Sequence, residues 1–352
     1  MGGHLHACTD CGKKEFAWHS CNHRSCPLCG RAATAQWVGR ELGKRIAAPY
    51  FMVTFTLPAE LRSLFFGRGD QAEAHAKTAY NLFFKASAQA LSEHLAKNKS
   101  LRAVTSGFTG ILHTWSQLLL PHIHIHYIVP GAGLDENGNY VRVKNQNFLL
   151  RIEGLSRAFR SHMRSALEKH GYGVDPAVWY KDWGVNIQPF GSGENAIKYL
   201  GRYVTRTAIG DYRIIHHDEE SGQVTFSWKD RSDHDKIKHE TISGVEFVRR
   251  YLRHVLPRGM RSIRYFGYCH PAARKKRERI AFHSGMFLDA SQSDSMKKQE
   301  PAQETRQRKC PCCQGKMKKL RRLRPSWKSA PRPPPIKSNT ATVPAPTLQG
   351  TR

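Results

Sequence analysis

The sequence predicts an α+β fold: an antiparallel sheet with helices on one face, a small metal-bound module before it and a basic tail after it. Three observations predict this. Short runs rich in β-branched and aromatic residues are interleaved with Ala-rich or amphipathic stretches of helical length. Cysteines two residues apart crowd the N-terminus, where too few apolar residues exist to build a core. Positive charge gathers near the other end. The 352 residues thus divide into 1–45, a zinc module with a linker helix, 46–282, the main domain, and 283–352, a mostly disordered tail.

The elements follow in order. Residues 4–29 read as loops held by metal. Residues 31–47 look helical, with Trp37, Leu42 and Ile46 at roughly helical spacing. Tyr50-Phe-Met-Val-Thr-Phe-Thr-Leu57 is a strand that Pro58 stops. The Ala-rich stretch 70–98, with Tyr80, Phe83, Phe84 and Leu91, reads as a long helix. Strands follow near 106–114 and 122–129, the second ended by Pro130-Gly131, then a helix over 151–170. A strand at 183–189 leads through Phe190-Gly-Ser-Gly193 into a helix at 194–206, with Ser192 as its N-cap. Alternation and turn residues predict a β-meander at about 207–242, and 245–256 is helical and basic. From about 284 the composition turns polar, and the Pro-rich stretch 329–352 reads as disordered.

Composition narrows the function. There are 56 Lys+Arg against 28 Asp+Glu, a net charge of +28. Residues 249–352 hold 26 of the basic and 5 of the acidic side chains, so three quarters of the excess lies in the last 104 residues. Such a charge seeks a polyanion, and nucleic acid is the first candidate. No apolar run approaches the ~18 residues of a membrane span, and no apolar signal core follows Met1. An odd count of 9 cysteines without a secretion signal argues for an intracellular metal site over a disulfide framework. The expected location is cytoplasmic, without a membrane partner.

Cys8-x2-Cys11, fourteen residues, then Cys26-x2-Cys29 has the form of two zinc knuckles. Four thiolates close a tetrahedral structural zinc site and leave no position for catalysis. Cys21 is a further candidate. Cys310-Pro-Cys312-Cys313 offers one more knuckle with no second Cys pair after it, half of a site completed elsewhere or a decayed ribbon.

Leu120-Pro-His122-Ile-His124-Ile-His126-Tyr-Ile-Val129 places three imidazoles at period two. On a strand all three point to one face and Ile123, Ile125 and Tyr127 to the other. A single strand histidine is usually structural, but three in alternation are hard to explain by packing. Two imidazoles plus a third ligand leave open positions on a divalent ion, as catalysis requires. The third ligand is left open among His122, His113 and Gln188.

Glu194-Asn-Ala-Ile-Lys198-Tyr199-Leu-Gly-Arg202-Tyr203-Val-Thr-Arg206 stacks two phenols one helical turn apart, among Lys198, Arg202 and Arg206. Gly201 in mid-helix costs about 1 kcal/mol against Ala; a close approach of strand or DNA backbone is expected to justify it. Alone, such a tyrosine pair is more often core packing. Beside the histidine strand its meaning changes. A phenol, with pKa ~10, is a better leaving group than an alkoxide, so a phosphotyrosine bond can be reversed. A metal to polarise the phosphate and bases to neutralise charge complete the requirement.

A histidine–hydrophobic–histidine strand followed by a tyrosine helix resembles the HUH single-strand endonucleases. The ordered set goes further: Ser20-Cys21-Asn-His-Arg-Ser-Cys26-Pro-Leu-Cys29, Pro49 to Pro58, Leu112-His-Thr-Trp115, His122-Ile-His-Ile-His126 with Val129-Pro-Gly131, and Tyr199-Leu-Gly-Arg-Tyr203. Over about residues 3–280 it closely resembles the two-tyrosine transposases of rolling-circle insertion sequences. Two departures stand out: Ile123 replaces the usual Pro, and members usually carry several dozen further residues before the Gly-Gly-His. The chain is therefore expected to be shorter than its family at that end.

The resemblance implies an HUH-endonuclease core, ferredoxin- or RRM-like. It implies His124 and His126 as ligands of Mg²⁺ or Mn²⁺, with His122 in an extra position, and Tyr199 and Tyr203 as paired nucleophiles. The implied activity is nicking and rejoining of single-stranded DNA at transposon ends and target through a 5′-phosphotyrosine. Lys198, Arg202 and Arg206 are candidate phosphate contacts. Two alternatives remain at this point: a replication initiator or relaxase using the same chemistry, and a non-catalytic zinc-finger DNA-binding regulator.

Overall fold

The computed structural model describes residues 2–19, 23, 30–66, 70–102, 105–204, 208–285 and 309–323, and of residues 18, 30–32, 70, 202–204 and 211 only the backbone. In chain order the elements are β1 (Gly3–Cys8), β2 (Lys14–Trp18), α1 (Gly30–Leu42), β3 (Tyr50–Thr56), α2 (Asp70–Lys97), β4 (Gly107–Trp115), β5 (Pro121–Pro130), β6 (Ala132–Leu134), β7 (Tyr140–Arg142), α3 (Ile152–Lys169), β8 (Gly184–Pro189), α4 (Glu194–Val204), β9 (Ile214–Asp218), β10 (Gln223–Asp230), β11 (Lys236–Ser243), α5 (Gly244–Leu252), β12 (Ile263–Gly267), α6 (Arg274–His283) and β13 (Met317–Leu323). The chain forms two units: Ser20–Glu300, and Met1–His19 together with Pro301–Arg352.

In the larger unit a five-stranded antiparallel sheet runs in the order β12-β4-β5-β3-β8. The histidine strand β5 lies at its centre. Alternation along the strands sorts their side chains to two faces. Phe51, Val53, Phe55, Phe108, Leu112, Ile123, Ile125 and Tyr127 join the main core with Phe83, Phe84 and Leu91 of α2 and Leu155, Phe159 and Met163 of α3. The opposite face carries Tyr50, Met52, Ile111 and Ile128, which pack with Trp37 of α1 and Ile197 and Leu200 of α4. Helices therefore cover both faces, not one. The reason is in β3 and β5, whose outer positions beyond the histidines are also apolar and need cover.

The predicted meander is a separate sheet, β11-β10-β9, continued by α5. Its Phe226 is buried with Leu119, Ala208 and Ile209, at the turn joining β4 to β5. β12 was not evident as a strand in the sequence.

The smaller unit holds a three-stranded sheet, β13-β1-β2. Here two expectations change. Part of residues 4–29 is paired strand rather than metal-held loop, and β13 arises within the stretch read as a disordered tail. The expected boundaries at 45 and 283 differ from these units, because β1 finds its partner near the other end of the chain, with Cys8 opposite Met317. Residues 324–352 lie outside the described residues. Among the described residues no helix is long and apolar enough to cross a membrane.

Candidate active site

The alternation of β5 turns His122, His124 and His126 to the α1/α4 face, and its neighbours complete the surround. His124 faces His113 on β4 and Thr56 on β3; His126 faces Ile111 and Thr54. Cross-strand partners share a face, so these side chains converge. The ligand nitrogens of His113, His124 and His126 all lie within 4.8 Å of one another. His113 Nδ1 is 3.2 Å from His124 Nε2, and Trp115 stacks on the His113 ring at 5.7 Å between centroids.

Two contacts orient the rings. His124 Nδ1 donates to the His122 carbonyl at 3.0 Å, which puts the proton on Nδ1 and the lone pair on Nε2. The Thr54 hydroxyl lies 2.8 Å from His126 Nδ1. The His122 ring is 4.7 Å from that of His124 but does not belong to the converging group. Gln188 pairs with Met52, level with Ile128 rather than with the histidines. Of the three candidates for a third ligand, the register brings His113.

Burial keeps these rings neutral. It is the main reason that His124 titrates well below the ordinary imidazole range, with His126 and His122 adding repulsion. His126 is pushed down to about 4 by burial, then by Arg231 and His122. His122 is lowered by burial, then by Arg62 and Arg231. A neutral imidazole is the form that binds a metal. Three such donors fit a divalent ion and leave coordination positions open for substrate oxygen.

The tyrosine helix α4 covers the same face. Ile197 and Leu200 are buried with Met52, Ile111 and Ile128, and the half-buried Tyr199 packs against that cluster. Gly193, not Ser192, stands just before the first helical residue, and its carbonyl accepts the first intrahelical bond, from Ile197 N–H. Its φ is +80° and a Cβ there would run into the Tyr50 ring, so only glycine fits. At Gly201 a Cβ would overlap Val38 Cγ2. The close approach is therefore made by α1, not by a strand.

Lys198 is exposed and pairs with Glu194 at 2.6 Å. Tyr203 and Arg202 lie on α4 with side chains outside the described residues, as does all of Arg206.

In the smaller unit the converging thiols are Cys8, Cys11, Cys310 and Cys313, all Sγ atoms within 4.8 Å of one another. Sequence spacing had joined Cys8 and Cys11 to Cys26 and Cys29. Cys21, Cys26 and Cys29 lie outside the described residues. The β1–β13 pairing is what carries the distant pair into place.

The imidazole group thus lies over the central strand, with the helix that carries Tyr199 on the same face. A family model described as "Putative transposase" (Y2_Tnp) matches residues 107–278, and one described as "Transposase zinc-binding domain" (Zn_Tnp_IS91) matches residues 1–57. The chain is 36% identical over 289 residues to "Putative transposase y4qJ" of Sinorhizobium fredii (strain NBRC 101917 / NGR234), covering 76% of this chain and 70% of that one. It is 27% identical over 278 residues to "Transposase for insertion sequence element IS801" of Pseudomonas savastanoi pv. phaseolicola, covering 73% of this chain and 63% of that one. The chain belongs to the two-tyrosine HUH transposase family. Among solved structures, it is similar to the conjugative relaxase TrwC in complex with oriT DNA. For the metal-free form identity is 17% and TM-score 0.29, over 38% of this chain and 48% of that one. For the metal-bound form they are 11% and 0.28, over 68% and 73%.

Proposed function

We propose that this transposase nicks and rejoins single-stranded DNA at the ends of its element through a covalent tyrosine intermediate. One observation carries the reading: the histidine group and the helix of Tyr199 occupy the same face of the sheet. A non-catalytic zinc-finger regulator would leave the histidine group without a role.

His124 and His126, with His113, would hold the Mg²⁺ or Mn²⁺ ion; an all-imidazole set favours a first-row transition ion over Mg²⁺. When bound, the ion supplies Lewis-acid polarisation of the scissile phosphate. The phenolic oxygen of Tyr199 or Tyr203 attacks phosphorus, the bond to the 3′ oxygen breaks, and a 3′-OH leaves with a proton. The 5′ phosphate stays on tyrosine, so the energy of the broken bond is kept for rejoining. A second tyrosine permits a second cleavage while the first link persists. Lys198, Arg202 and Arg206 are placed in the sequence to meet phosphate charge. A structural zinc ion belongs to the N-terminal cysteine cluster.

The test uses labelled single-stranded DNA spanning an element end, with Mn²⁺. The full-length protein is expected to form a denaturant-resistant adduct, and a Tyr199→Phe, Tyr203→Phe double variant to form none. No adduct with the wild type, or an adduct with the double variant, would contradict the reading.

A further inference from the structure

The cysteines of the smaller unit form two segments with one hydrogen-bond pattern. In Cys8-Thr-Asp-Cys11, Cys8 N–H donates to Lys13 O at 2.9 Å, Gly12 N–H to Cys8 O at 3.2 Å, and Asp10 N–H to Cys8 Sγ at 3.4 Å. In Cys310-Pro-Cys-Cys313 the same offsets recur: Cys310 N–H to Gly315 O at 2.8 Å, Gln314 N–H to Cys310 O at 2.9 Å, and Cys312 N–H to Cys310 Sγ at 3.4 Å. The residue after each second cysteine is left-handed, Gly12 at φ +70° and Gln314 at +61°. Two loops so alike, folded back by N–H···S bonds, are a matched pair of knuckles.

The sulfur separations decide between disulfides and metal. Cys8 and Cys313 are 3.4 Å apart, and Cys11 and Cys310 3.6 Å. A disulfide requires about 2.05 Å. Tetrahedral zinc with Zn–S near 2.3 Å places its sulfurs about 3.8 Å apart. The spacing fits a shared ion. The unit also needs one. Its buried apolar cluster among the described residues is Cys8, Cys310 and Met317 alone, too little to hold three strands together.

We propose that Cys8, Cys11, Cys310 and Cys313 bind one structural zinc ion, so that the N-terminal module is completed by a segment about 300 residues downstream. The proposal rests on the structural-zinc reading and goes beyond it in naming the second pair of ligands. Cys312 takes the place that Asp10 has in the first knuckle and is not a ligand. The stretch 309–323 is then a structural part of the zinc module, not a tail appended to it.

The test is N-ethylmaleimide labelling of the zinc-loaded full-length protein, read peptide by peptide, alongside cobalt substitution. Cys8, Cys11, Cys310 and Cys313 are expected to resist labelling and to become reactive together on adding a chelator, while Cys312 reacts throughout. Cys310→Ser with Cys313→Ser is expected to abolish the tetrathiolate cobalt spectrum of this site, and Cys312→Ser to retain it. Zinc present with Cys8 and Cys11 protected but Cys310 and Cys313 fully reactive overturns this proposal alone. Wild-type protein without zinc, every cysteine reactive, overturns the structural-zinc reading with it. Should the double variant fail to fold, the labelling of wild type still decides.

Discussion

The Thr54 hydroxyl stands 2.8 Å from Nδ1 of His126, directly opposite it across the β3–β5 pair. With the hydroxyl accepting from Nδ1–H, the contact would hold the ring with Nε2 offered to an ion. Outer partners of metal-bound histidines typically contribute about 10–100-fold in affinity. Thr54→Val is therefore expected to weaken Mn²⁺ binding by about that factor, and Thr54→Ser to restore most of it. Titration calorimetry on the folded variants checks this.

The register of β4 against β5 favours His113 over His122 as the third ligand of the proposed ion. His113→Ala is expected to reduce Mn²⁺ affinity by at least about 100-fold, beyond the range of an outer-partner effect. His122→Ala is expected to change it far less. The reverse order would assign the third position to His122.

Acid sensitivity has an identifiable source. His254 is buried, its Nε2 donating to Leu119 O at 3.0 Å and its Nδ1 3.1 Å from the Thr114 hydroxyl. Burial, with Arg253 nearby, pushes it down to about 4, although the bond to Leu119 opposes the shift. Below about pH 6.5 the unfolded chain takes the proton first, so stability is full above that pH and falls as pH drops toward 4. The loss from this group is roughly 3 kcal/mol. Denaturant unfolding of metal-free protein at pH 7.5 and 4.5 is expected to show it. His254→Gln should reduce that difference by about that amount, leaving the part due to His124 and His126, even though it lowers stability at pH 7.5.

Gly201 tests the packing of α4 on α1. A helix interior ordinarily gains up to about 1 kcal/mol from Gly→Ala. Here the added methyl meets Val38, and overpacking costs about 1–3 kcal/mol. Gly201→Ala is expected to destabilise by roughly 1–2 kcal/mol, and Val38→Ala in the same chain to recover part of it. Thermal unfolding of the two variants measures both.

Much of this site is legible in the sequence because it is written in local periodicity. The alternating histidines need only a strand to share a face, and Tyr199 needs only the helix that the sequence predicts over 194–206. What was not legible depends on pairing between distant segments. His113 joins the converging imidazoles because the β4–β5 register sets it against His124, whereas spacing along the chain left His122 and Gln188 equally eligible. Thr54 gives no signal at all, being one threonine within an apolar strand. Cys310 and Cys313 were visible as half a site, but the nearest thiols in sequence suggested another partner for Cys8 and Cys11. The helices over 31–47 and 194–206 are legible, but not that they cover a second face of the sheet, because α1 is weakly amphipathic and Met52 and Ile128 read as ordinary strand residues.

The most direct measurement of the central claim locates the covalent bond. The adduct formed with single-stranded DNA and Mn²⁺ is digested with nuclease and trypsin, and the modified peptide is sequenced by mass spectrometry. Cleavage after Lys198 and Arg202 separates the two tyrosines into different peptides. The account expects nucleotide on the peptide of Tyr199 or that of Tyr203, and its loss when His124 and His126 are both replaced by alanine. A phosphodiester on any other residue, or an adduct undiminished without those histidines, would contradict it.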